Sequence, residues 1–328
     1  MSELRQDIVS GDWVLLAPGR AARPRFMDQK KGPRKSLPKS ECPFEDLSLA
    51  SPAMPLYQHP AGKDWRIAVI RNKYPAVEEN GVPSHTFARG IYPVRTGVGT
   101  HNLLITRAHT LHFTELPAED AAALFAVLQR FHRIAAQDDR VRYIASFYNY
   151  GPSAGASVWH PHYQMLALPV IPEHVARSLK GSERYFKSHG RCVRCDIIRA
   201  ERSARARIIV ENSHAIAMAP YASKKPFEMS ILPKRHTPSL RDTPPAALRG
   251  IALLAQEAAK AMKRRLGDPD FNFFIHDAPL GSGDYRHHHW HIEMVPRVTT
   301  EAGFELSTSI IINVIDPDNA AAILRGEK

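Results

Sequence analysis

The chain has 328 residues, 44% hydrophobic and 23% charged, with a formal charge of +11; this is a globular composition, long enough for two ordinary domains or one doubled one. No apolar run approaches the ~20 residues of a membrane span, and the first residues carry no signal-peptide stretch, so no membrane is involved and a cytoplasmic location is expected. The positive charge gathers in residues 1–40, nine Lys/Arg against four Asp/Glu, and in 177–207, ten against three; with ordinary aromatic content and no nucleic-acid module, solubility or a phosphate-bearing substrate comes before nucleic acid.

Along the chain, one pattern comes twice. His101-Asn-Leu-Leu-Ile-Thr-Arg-Ala-His109 is a short apolar strand closing on a basic residue and a histidine. A helix is predicted from Pro117 to about Ala136, with Leu124, Leu128, Phe131 and Ala135 at helical spacing. Tyr143–Asn149 reads as a strand, and His160-Pro-His162-Tyr-Gln164 opens another that runs to Pro169. After a junction near 172–190 the order repeats: Phe227 to His236, a helix from Pro244 to Leu266 stopped by Gly267-Asp268-Pro269, the strand Phe271–His276, and His289-Trp-His291-Ile-Glu293 running to Pro296. From the single histidine to the histidine strand is 51 residues in the first half (109 to 160) and 53 in the second (236 to 289). The reading is one ancestral unit present twice: an α+β fold of two tandem units, 1–175 and 176–328.

In a strand, residues two apart share a face, so His160, His162 and Gln164 point one way, as do His289, His291 and Glu293. The repeat also assembles two metal sets. Cys192, Cys195, His236 and His289 form a Cys₂His₂ group, the soft tetrahedral set that suits zinc; in a chain without an export signal Cys-x-x-Cys reads as a thiolate site rather than a disulfide. The first-half counterparts are Cys42, Glu45, His109 and His160, with a carboxylate in place of one thiolate. One or two structural zinc ions per chain are expected.

These residues, with Arg20-x-x-Arg23-Pro24, Asn72-Lys73-Tyr74-Pro75, Asn149, Gly155-x-Ser157, Pro226-Phe227-Glu228, Leu232-Pro233-Lys234, His276-x-Ala278-Pro279 and Gly303-Phe304-Glu305, resemble the galactose-1-phosphate uridylyltransferase family of the histidine-triad superfamily. The Gly303 motif resembles the branch that includes ADP-glucose phosphorylases. The resemblance implies two histidine-triad units in a mainly antiparallel half-barrel sheet with flanking helices, and a homodimer sharing its active sites. It implies double displacement, with His162 as nucleophile and Gln164 bonding the phosphoryl oxygens. Asn149 and Ser157 then hold phosphate or orient His162, Arg20 and Arg23 face the phosphates, and Asn72 meets the nucleoside. The first expectation is uridylyl transfer between UDP-glucose and a hexose 1-phosphate. The alternatives are adenylyl transfer to phosphate from ADP-glucose, adenylylsulfate or a dinucleoside polyphosphate, and a non-catalytic nucleotide- or metal-binding protein. Lys73 stands where several uridylyltransferases carry an acidic residue beside the nucleoside, which argues against a fixed uridine preference, and Tyr163 stands where small residues are common, which points to an altered acceptor pocket. With that resemblance, Glu293 in place of glutamine favours one active site per chain, unit 1–175 being catalytic and unit 176–328 mainly structural.

Overall fold

A computed structural model describes residues 2–22, 38–51, 53–79, 85–281 and 283–327. The described strands and helices in chain order are β1 (Glu3–Gln6), β2 (Trp13–Leu16), α1 (Leu47–Ala50), β3 (Tyr57–His59), β4 (Ile67–Arg71), β5 (Thr86–Arg89), β6 (Tyr92–Arg95), β7 (Thr100–Thr106), α2 (Ala118–Ala135), β8 (Tyr143–Tyr150) and β9 (His162–Leu168). Then come α3 (Glu173–His189), α4 (Val193–Ala204), β10 (Ile208–Glu211), β11 (Ala215–Met218), β12 (Met229–Pro233), α5 (Pro245–Leu266), β13 (Phe271–His276), β14 (His291–Pro296), α6 (Gly303–Thr308), β15 (Ile311–Asn313) and α7 (Pro317–Arg325). Burial alternates along β8 and β13, as period-two sequences require. Helix α2 starts with Glu119 and Asp120 against its positive end, and α5 stops on Gly267 in the left-handed conformation, φ 67°.

Ten strands form one open antiparallel sheet in the order β10-β11-β12-β14-β13-β8-β9-β7-β4-β3. Read from the centre outward the two sides match: β8 with β13, β9 with β14, β7 with β12, β4 with β11, β3 with β10. His109 and His236 differ by 127 positions, and the central strands β8 and β13 carry the same offset. Across the β8–β13 seam Phe147 lies opposite Phe274, its own counterpart (147 + 127), so a local two-fold passes through that pair.

Helices α2 and α5 cover one face over a shared core of Leu124, Phe125, Leu128, Ile251, Leu254 and Met262 with Tyr148, Tyr163 and Phe273 from the sheet. A reciprocal exchange locks them. The buried Gln129 amide of α2 donates to the carbonyls of Leu240 and Thr243, both at 2.8 Å, and Gln256 of α5 donates to Phe113 and Leu116, both at 2.8 Å. All three positions shift by 127 (129 to 256, 113 to 240, 116 to 243), so each helix caps the other unit's loop.

A second brace crosses the halves without symmetry. His132 on α2 lies 3.0 Å from Asp277 and 2.7 Å from Ser146 Oγ, and Asp277 also accepts the Leu240 and Ala278 amides at 2.9 Å. The connectivity is that of a hydrolytic triad, but Ser146, His132 and Asp277 are 2%, 0% and 2% exposed, so no substrate reaches the serine. Burial pushes the Asp277 carboxyl up, while the His132 bond and the backbone amides outweigh it and hold it below the ordinary aspartate range. Its stabilising contribution is therefore complete above the unfolded value of about 3.9 and is lost as pH falls through the folded one. Asp277→Ala is expected to cost about 3–5 kcal/mol at pH 7, because it strands buried donors. Urea unfolding checks this, and the gap from the parent narrows at pH 3.

Two expectations are corrected, and the junction between the units takes a definite form. The histidine strands begin at His162 and His291, with His160 and His289 in the segments just before them, since Pro161 cannot join a ladder in mid-sheet. The 172–190 junction is the amphipathic helix α3. The N-terminal arm does not stay with the first unit: β2 pairs with β15, Val14 and Leu16 pack on Ala222, and Asp12 bonds Arg177 and Lys224. The basic 177–207 stretch is largely paired, Arg191 and Arg199 with Asp196, Arg207 with Glu201 and Asp318, and Arg202 with Glu211.

Candidate active site and metal centres

Strand β9 carries the centre of the site. His162 and Gln164 share the face opposite the two long helices, and Tyr163 points between those helices, stacked on Tyr148 at 4.4 Å between centroids. Tyr163 is therefore core and shapes no acceptor pocket. Phe44, which the motif reading passed over, packs on both histidines, with ring centroids 5.6 Å from His160 and 5.2 Å from His162.

His162 Nδ1 lies 3.0 Å from the His160 carbonyl. A carbonyl only accepts, so Nδ1 carries the proton and Nε2 presents its lone pair. Burial pushes the ring below the ordinary histidine range, against the carbonyl bond that favours the charged form. His162 is 7% exposed, with the Phe44 ring packed against it.

Gln164 Oε1 lies 3.1 Å from His101 Nε2, and Asn72 contacts the His101 ring at 3.3–3.4 Å. Asn72 is thus linked to Gln164 through a histidine to which no role was given. The signal existed in the pairing of β7 with β9, where Leu103 faces Gln164 and His101 follows on the same face. Beside them a cavity of about 450 Å³ is lined by Arg71, Asn72, Lys73 and His101 among others. Asn149 accepts a hydrogen bond from Asn272 at 2.8 Å across the seam. Ser157 is exposed in the loop before β9, and among the described residues neither it nor Arg20 hydrogen-bonds His162 or Gln164. Arg23 lies outside the described residues.

Both metal sets come together, each with its ligand atoms within 4.8 Å of one another. In the second, Cys195 Sγ is 3.5 Å from His236 Nδ1 and 3.6 Å from His289 Nδ1. Ligands around a tetrahedral zinc lie roughly 3.3–3.8 Å apart, given Zn–N and Zn–S lengths of about 2.0 and 2.3 Å. His236 Nε2 donates to the Arg286 carbonyl at 3.0 Å, which turns Nδ1 toward the thiolates. The Cys192 thiol is held far below its usual range, first by the Cys195 thiol and then by the two imidazoles. In the first set His160 Nε2 donates to the Thr106 carbonyl at 2.6 Å, leaving Nδ1 facing Cys42 Sγ at 3.4 Å. Here Glu45 already bonds His109 Nδ1 at 2.8 Å, and burial pushes the Cys42 thiol up. Both donor sets fit a metal, the second better.

His291, the second unit's counterpart of His162, is closed in. His276 and His291 stack at 4.6 Å, and Glu293 lies 3.2 and 3.7 Å from their Nε2 atoms. A carboxylate here carries a negative charge that repels phosphate, where the first unit has the neutral Gln164.

The family model "Galactose-1-phosphate uridyl transferase, N-terminal domain" matches residues 1–172, and a "Domain of unknown function (DUF4921)" matches 98–325. The chain is 35% identical to an ADP-glucose phosphorylase of Arabidopsis thaliana over 98% of this chain and 92% of that one. It is 24% identical to a galactose-1-phosphate uridylyltransferase of Thermotoga maritima, covering 99% and 98%. Among solved structures it is similar to the A. thaliana ADP-glucose phosphorylase crystallised with bound ADP-glucose, TM-score 0.85, 28% identity, covering 99% and 98%.

Proposed function

The chain belongs to the galactose-1-phosphate uridyl transferase family and is by that membership a nucleotidyltransferase, and we propose that it acts by double displacement through Nε2 of His162. The single observation that carries this is the His162 tautomer: the His160 carbonyl holds the Nδ1 proton, so Nε2 is a free, neutral nucleophile. Nε2 attacks the α-phosphorus of a nucleotide-sugar, the bond from phosphorus to the leaving phosphate oxygen breaks, and sugar 1-phosphate departs. An acceptor phosphate oxygen then attacks the same phosphorus, the P–N bond breaks, and neutral His162 returns. Gln164 stabilises charge on the phosphoryl oxygens. Asn72 faces the nucleoside cavity, while Arg20, Arg23, Asn149 and Ser157 are assigned to the phosphates on motif likeness.

UDP-glucose with a hexose 1-phosphate is one donor–acceptor pair. ADP-glucose with phosphate is the second, favoured by 35% identity to an ADP-glucose phosphorylase against 24% to a uridylyltransferase at similar coverage. Zinc held by Cys192, Cys195, His236 and His289, and by Cys42, Glu45, His109 and His160 where it binds, supplies a structural cross-link. A homodimer is proposed with the family reading, and α6, which exposes Phe304 (43%) and Leu306 (71%), offers a surface for it. Among the described residues no helix is long and apolar enough to cross a membrane, and a cytoplasmic location is proposed with the family reading.

Intact-protein mass spectrometry after separate incubation with UDP-glucose, ADP-glucose and adenylylsulfate tests the reading. One donor is expected to add a uridylyl or adenylyl mass on His162, and no adduct from any of them overturns it. Gln164→Ala is expected to slow adduct formation by about 10²–10³-fold with the fold intact.

A further inference from the structure

A primary carboxamide has two nearly isosteric orientations, and only one turns its NH₂ toward a phosphoryl group. We propose that His101 is the positioning residue that selects this orientation for Gln164, an inference that rests on phosphoryl transfer at His162.

The argument starts from a backbone amide. Ala76 N–H points at His101 Nδ1 at 3.2 Å. A peptide N–H only donates, so Nδ1 holds the lone pair and the proton of the neutral ring sits on Nε2. Nε2 lies 3.1 Å from Gln164, and an N–H facing the carboxamide requires its oxygen. Oε1 is thereby fixed toward His101, and both hydrogens of Nε2 are left for the opposite side. A flipped amide sets two donors against each other at His101 and aims its own oxygen at phosphoryl oxygens.

The sheet and the neighbouring turn hold the relay in place. His101 pairs with Leu166 across β7–β9 and Leu103 with Gln164, so His101 and Gln164 are diagonal neighbours on one face. The Asn72 backbone amide donates to the His101 carbonyl at 2.9 Å, and the Asn72 side-chain oxygen accepts from Tyr74 N–H at 3.0 Å. That turns the Asn72 Nδ2 group over the His101 ring, nearly equidistant from its two nitrogens at 3.4 and 3.3 Å. The Asn72-Lys73-Tyr74-Pro75 turn thus lines the nucleoside cavity and presents the Ala76 amide that sets the tautomer. A histidine kept only for packing predicts lost stability and no coupling to Gln164.

The test compares His101→Ala, Gln164→Ala and the double variant in the full chain. His101→Ala is expected to lower kcat by about 10–100-fold with donor KM within about threefold, as loss of aim without loss of binding does. The double variant is expected to be no slower than Gln164→Ala, within about threefold; fully multiplicative losses overturn the proposal. A second reading needs no activity. In nitrogen-correlated NMR of ¹⁵N-histidine-labelled protein, the His101 ring, assigned by its disappearance in His101→Ala, is expected as the Nε2–H tautomer, and an Nδ1–H tautomer overturns the relay. If the parent protein takes up no nucleotide, the functional reading fails, and the NMR result alone decides whether His101 sets the Gln164 amide.

Discussion

His162→Gly is expected to take up no nucleotide and to lose about 10⁴–10⁶-fold in turnover, the scale of removing a nucleophile whose partners remain. Free imidazole restores part of the activity, since glycine leaves room for the missing ring and an exogenous imidazole has the same nitrogen chemistry. The rescued reaction leaves no mass on the protein, which separates it from contaminating parent enzyme. The pH dependence follows from the environment of the ring. Burial holds His162 below the ordinary histidine value, so the neutral nucleophile persists as pH falls past about 6.5 and is lost only below its own depressed value. The acid limb of single-turnover adduct formation is therefore expected below pH 6.5. A His162→Ala preparation with full activity, or a His162-linked acid limb well above pH 7, sinks the assignment.

The sequence carried the fold because local and repeated signals agreed. Alternation in Phe271–His276, the helical spacing of Leu124, Leu128 and Phe131, and the stop at Gly267 each name an element, and the repeat orders them. Donor sets were legible for the same reason, since Cys-x-x-Cys and the paired histidines are short-range patterns. What stayed hidden depends on contacts between distant segments. Gln129 and Gln256 look like polar residues on amphipathic helices, and only the packing of α2 against α5 shows each capping the other unit's loop. Asp277 follows His276 inside a motif, yet it braces His132, 145 residues earlier in the chain. Tyr163 drew attention as a neighbour of His162, but strand alternation alone sends it to the far face. His101 needed the β7–β9 register, which no single stretch of sequence contains.

Cys195→Ser is expected to lower Tm by about 6–20 °C and to leave turnover per folded molecule within about threefold of the parent. The site is a clip between distant elements. Cys192 and Cys195 sit at the start of α4, His236 follows β12, and His289 precedes β14, so a bound ion ties a helix of the second unit to the ends of two strands. Losing it releases that tie, and at ~2–4 °C per kcal/mol for a domain of 150–250 residues, a loss of about 3–5 kcal/mol gives the stated shift. Turnover is spared because His162 and Gln164 lie on β9 in the other unit, with their own supports in Phe44, the His160 carbonyl and His101. Cys42→Ser is expected to have the smaller effect on melting. Its neighbours Glu45 and His109 already satisfy each other at 2.8 Å, so that corner keeps a cross-link without an ion. Metal analysis is expected to give between one and two equivalents per chain, with the fraction that resists chelation lost in Cys195→Ser and kept in Cys42→Ser. Metal-free protein with unchanged melting rules out a structural ion. A Cys195→Ser variant that melts normally but no longer turns over gives the second centre a part in the chemistry rather than a structural role.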